Sequence, residues 1–128
     1  MSSESRPLVW LGSSKKDLVS LPVKVRKFFG HALDFAQRGE QHSAAKILKG
    51  FGGAGVLELV EDDGAGTYRA VYTVKFEEAV FVLHAFQKKS KSGIATNKED
   101  LDIIRIRLKV AALIAQELRN DKASRERR

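Results

Sequence analysis

The chain has no cysteine in its 128 residues, which excludes disulfides, zinc–thiolate centres and thiol catalysis. Proline is scarce, with two residues, so long uninterrupted elements are permitted. No apolar run approaches the ~20 residues needed to span a bilayer. Met1 to Arg6 is polar and lacks the apolar segment of a signal peptide, so a cytosolic protein with no membrane partner is expected. Acid is the minority charge: 16 Asp+Glu stand against 23 Lys+Arg, giving +7 and a pI near 9.8. That balance favours a polyanionic partner through long-range attraction. The three histidines, His31, His42 and His84, show no metal-ligand spacing, and the sequence implies neither metal nor cofactor.

What is present is a 43% hydrophobic fraction, enough for one folded domain. Pro7 to Leu11 reads as a short strand closed by Gly12. Ser14 is a candidate cap for a short helix with Asp17 three residues on, which must end before Pro22. Pro22 suits the first turn of a second helix. Val25, Phe28, Phe29, Ala32, Leu33 and Ala36 form its single apolar stripe, and Gly39 is its candidate C-cap.

Three β-branched and aromatic runs follow, Val56–Val60, Thr67–Phe76 and Ala79–Phe86. They are joined by the loop 61–66 and by Glu77-Glu78, as in an antiparallel meander. Asn97 or Thr96 caps a final helix in which Leu101, Ile104, Leu108, Ala111, Ala115 and Leu118 make one stripe. Ile103, Ile106, Val110, Leu113 and Ile114 make a second, more than a surface helix needs, and predict a protein-binding face at Ile106, Val110 and Leu113. The expected fold is α+β, a small antiparallel sheet with helices packed on it in the order β-α-α-β-β-β-α. One domain spans residues 1–118, and a charged tail, residues 119–128, is expected to fray.

Two motifs carry no chemistry. Gly50-Phe51-Gly52-Gly53-Ala54-Gly55 fits G-x-G-x-x-G but leads into a strand, whereas a dinucleotide site needs it to open a helix. Glu61-Asp62-Asp63 lacks the alternating ligands of a calcium loop. A cationic group is more informative. Arg69 begins one strand, His84 interrupts the next, and Lys88, Lys89 and Lys91 follow it, with Lys46 and Lys49 earlier in the chain. Together such cations can hold a phosphodiester, and an imidazole can move a proton near neutrality.

The segments Tyr68-Arg69-Ala70-Val71-Tyr72 and Leu83-His84-Ala85-Phe86-Gln87-Lys88-Lys89-Ser90 resemble the RelE/HigB/ParE toxin superfamily, in its HigB-like branch often labelled phage-derived. Further likeness lies in Val9-Trp10-Leu11-Gly12, Ala45-Lys46-Ile47-Leu48-Lys49-Gly50 and Glu58-Leu59-Val60-Glu61-Asp62. The resemblance implies a toxin that cleaves mRNA, commonly on the ribosome, by attack of the 2′-hydroxyl on the adjacent phosphate. It implies that Arg69 binds that phosphate. Lys88 or Lys89 would stabilise charge or act as acid, and His84 would move a proton. Lys46, Lys49 and Lys91 would contact RNA. Where RelE-type toxins supply lysines this chain has Glu58, a candidate base, and no tyrosine follows Tyr72. A helix-turn-helix antitoxin is the implied partner, and a homodimer is allowed. The resemblance equally covers ParE-type binders that poison gyrase without cutting RNA, and inactive phage-derived remnants.

Overall fold

The structure is a computed structural model and describes residues 5–88 and 96–127. Along the chain run β1 (Leu8–Trp10), α1 (Ser14–Val19), α2 (Val23–Gln37), β2 (Lys46–Ile47), β3 (Val56–Asp62), β4 (Thr67–Thr73), β5 (Val80–Lys88) and α3 (Lys98–Glu126). The strands form one sheet in the order β1-β5-β4-β3-β2. The meander β3-β4-β5 is antiparallel, as expected. Two edge strands depart from that expectation. β2 pairs antiparallel with β3 through two residues, and β1 pairs parallel with β5, so the sheet is mixed. At two and three residues, both take their identity from the edge they meet.

The expected α+β class holds, and the sheet is covered on both faces. One apolar cluster joins it to α1 and α2 through Leu18, Val25, Phe29, Leu33, Leu57, Leu59, Tyr72 and Val82. Trp10 of β1 packs against this cluster. The other joins it to α3 through Val71, Phe81, Leu83, Ile104, Ala111 and Ala115. Burial on both sides explains why Ala79 to Ala85 carries almost no polar residue, since a half-solvated strand would alternate.

The helix ends refine the sequence reading. α1 is capped at Ser13, one residue before Ser14; the Ser13 hydroxyl donates to Asp17 Oδ2 at 2.6 Å. Ser14 is instead buried and donates to the Val82 carbonyl, pinning α1 to β5. α2 ends at the left-handed Gly39 (φ +80°), a conformation that costs a side-chain-bearing residue energy. Asn97 caps α3, its side chain accepting from the Asp100 N–H at 3.0 Å.

α3 has 29 residues, about 43 Å of helix, longer than the nine residues of β5 can match. Its last buried residue is Ala115, and the charged segment from Arg119 continues the helix to Glu126 in solvent. Of the two apolar stripes, Ile104, Ala111 and Ala115 are buried. Ile106 (63% exposed), Val110 (39%) and Leu113 (66%) face outward.

Candidate functional site

Strand register decides which side chains share a face. Glu58 pairs with Val71, Val71 with His84, and Arg69 with Phe86, so Glu58, Arg69 and His84 all belong to the α3 face. A bulge between Val71 and Tyr72 leaves Leu83 as the extra residue of β5, and its carbonyl accepts from Arg107 of α3 at 2.9 Å. Lys46 is the register partner of Glu58 across the β2 edge.

Arg69 is 5% exposed and lies on the floor of a cavity of about 330 Å³, lined also by Ile47, Lys49, Glu58, Thr96 and Leu101. Its Nη1 donates to Glu58 Oε2 at 2.9 Å and to Thr96 Oγ1 at 3.1 Å. A guanidinium so deep in a sheet needs a counter-charge, and Glu58 supplies it. Lys88 ends β5 nearby; its ammonium is held below the usual lysine range by burial first and by the Arg69 charge next, with Glu58 opposing. Arg69, Glu58, Lys49, Lys46 and Lys88 therefore converge on one corner of the sheet. Lys89 and Lys91 lie outside the described residues.

His84 makes a separate arrangement. Its Nε2 is 2.8 Å from Asp100 Oδ1 in the first turn of α3, and its ring stacks on Phe86 at 4.4 Å. Burial pushes its pKa down, against the raising effect of Asp100, so the neutral imidazole prevails. In that form Nε2–H donates to the carboxylate, leaving Nδ1 a buried acceptor with no partner among the described residues. His84 and Asp100 line a second cavity, about 550 Å³, between the end of α1, the outer edge of β5 and the first turn of α3.

Sequence reasoning singled out Arg69, Glu58 and His84 but not the charged residues Asp100 and Arg107 that the structure sets beside them. A signal existed: both charged residues fall on the sheet-facing stripe of Ile104 and Ala111, where a charge requires a partner. Among the described residues, no group of three or more His, Asp or Glu side chains could hold a metal ion. Nor is any helix there long and apolar enough to cross a membrane.

Residues 16–109 match the family model described as phage-derived protein, Gp49-like. No curated protein matches the chain. Among solved structures, a doubly substituted mutant of the E. coli toxin RelE in its free state superposes with a TM-score of 0.58 at 19% identity. That match covers 80% of this chain and 97% of that one, and it shows a shared fold. The RelBE2 toxin–antitoxin complex from Mycobacterium tuberculosis matches at 20% identity over 67% of this chain and 94% of that one, with a TM-score of 0.42.

Proposed function

The chain belongs to the Gp49-like family of phage-derived proteins, and on that premise we propose that it is a RelE/HigB-like toxin, an endoribonuclease held in check by an antitoxin. The observation that carries this reading is Arg69, a nearly buried cation at the base of an open cavity beside Glu58 and Lys49. A phosphodiester entering that cavity competes with Glu58 for the guanidinium. Its capture releases the carboxylate beside the reacting atoms.

Glu58 then takes the proton of the 2′-hydroxyl, whose oxygen attacks phosphorus. The bond to the 5′-oxygen breaks, and Lys88 protonates the departing oxygen, leaving a 2′,3′-cyclic phosphate and a 5′-hydroxyl. Arg69 stabilises the charge that gathers on the phosphate oxygens in between. Lys46 and Lys49 hold the flanking backbone. His84, which opens on the neighbouring cavity, serves through Asp100 to seat the first turn of α3 over the site. The exposed Ile106, Val110 and Leu113 form the docking face for a helix-turn-helix antitoxin.

Inducible expression in a bacterium with 5′-end mapping of cellular RNA, with Arg69→Ala in parallel, tests this. The expected result is growth arrest with new RNA ends, both lost in the variant, whose cleavage rate drops about 10²–10³-fold while circular dichroism shows the fold retained. Arrest with DNA breaks and no RNA ends would replace the nuclease by a gyrase-poisoning binder. No arrest, in a soluble and folded protein, would indicate an inactive remnant.

A further inference from the structure

The glycine turn at residues 50–55 leads into β3, and what it contributes is the residue it presents. Gly50 (φ +97°) and Gly52 (φ +74°) take backbone conformations that a side chain disfavours, and between them Phe51 packs against the α3-side core. The Arg105 guanidinium of α3 lies over the Phe51 ring, its Cζ 5.5 Å from the centroid. Arg105 Nη1 also donates to Asp102 Oδ1 at 3.2 Å. Guanidinium N–H bonds lie in the plane of the group, so the carboxylate takes an edge and the phenyl ring a face. Half of the Arg105 side chain is in solvent, leaving the face away from the ring accessible.

This pair stands at the rim of the Arg69 cavity. One wall of that cavity is Ile47, Leu48 and Lys49, and the chain reaches Phe51 two residues beyond Lys49. The opposite wall is Leu101 of α3, and Arg105 is the next residue along the same helical face, about 6 Å further on. Because Arg105 lies on Phe51, the two walls meet there. A flat, oriented cation therefore borders the cavity that has Arg69 as its floor.

We propose that Phe51 and Arg105 form a stacking subsite for single-stranded RNA, taking the base next to the phosphate held by Arg69. The inference rests on the phosphate-binding reading of Arg69. The base lies on the outer face of the guanidinium, giving a stack of base, Arg105 and Phe51. Bases stack on arginine planes as they do on aromatic rings, and the larger face of a purine gains more dispersion contact than a pyrimidine. Asp102 and Phe51 fix the plane before RNA arrives, which lowers the ordering cost of binding. The subsite thus favours purines by area and reads no hydrogen-bonding edge.

The test is calorimetric titration of the full chain with 2′-O-methyl trinucleotides of adenine and of uracil, which lack the nucleophile and are bound without being cut. The adenine trinucleotide is expected to bind roughly three- to tenfold more tightly. Arg105→Lys keeps the charge and loses the plane. It should bring the two affinities together while the salt dependence of binding stays that of the parent. Phe51→Leu keeps apolar packing and removes the ring, and should also close the gap, with ellipticity unchanged.

Arg69→Ala should weaken both trinucleotides alike and leave their ratio intact. An Arg69→Ala variant that binds as the parent does would remove the phosphate reading, while the ratio and its loss in Arg105→Lys still report on the stack. Equal affinity of the two trinucleotides for the parent, or binding of neither, overturns the subsite. So does a purine preference that survives both Arg105→Lys and Phe51→Leu, which would place the base elsewhere.

Discussion

Tyr72 is wholly buried in the α2-side core; its hydroxyl has no hydrogen-bond partner among the described residues, and burial raises its pKa to about 12. An unpaired buried hydroxyl costs stability, so Tyr72→Phe should be neutral or stabilise by about 1 kcal/mol, raising Tm by a few degrees in calorimetry. His84 gives a pH dependence with a definite sign. Its folded pKa lies below 6.5, so below about pH 6.5 the unfolded chain takes up a proton that the folded chain does not. Stability therefore falls as pH drops through that value and levels off below the folded pKa. Thermal melts of the parent and of His84→Phe across this window should show the slope in the first and a flatter profile in the second.

α3 carries both fully buried and largely exposed apolar positions, and its substitutions should divide accordingly. Ile104→Ala removes a fully buried side chain and should cost about 2–5 kcal/mol. Ile106→Asp and Leu113→Asp, at positions more than half exposed, should stay within about 0.5 kcal/mol yet abolish capture of the antitoxin in a pull-down of the co-expressed pair. Unchanged capture by folded variants would place the antitoxin elsewhere. α3 is also tied to the first loop. Arg107 Nη2 donates to Ser13 Oγ at 3.2 Å, and Gly12 (φ +54°) leaves room for it, since a Cβ there would lie 2.7 Å from the guanidinium. The apolar spacing of this helix was plain in the sequence, but which stripe faces the sheet was not. Polar partners decide that: Asp100 and Arg107 select the inward face through His84 and the Leu83 carbonyl, both on another element.

Across the whole molecule the excess of cations predicts RNA binding that weakens steeply with salt. For a single strand the slope of log K against log salt is about −0.7 per phosphate neutralised, so removing Lys46, Lys49 or Lys88 should each flatten it by roughly that amount in filter-binding titrations. The meander could be read directly because its loops are short and its strands long and β-branched. The parallel seat of β1 could not, because a three-residue strand carries no record of the edge it will join. Likewise Arg69 and Glu58 announce themselves as charges in strands, whereas the Asp100 partner of His84 emerges only when α3 folds back over the sheet. The mixed sheet has one practical consequence. Trp10 is the only tryptophan, and it sits on β1, which is held to β5 by three register pairs. The molecule thus carries its own optical reporter at its N-terminal edge: a red shift in tryptophan emission that precedes loss of the ellipticity signal would record peeling of β1 while the meander is still intact.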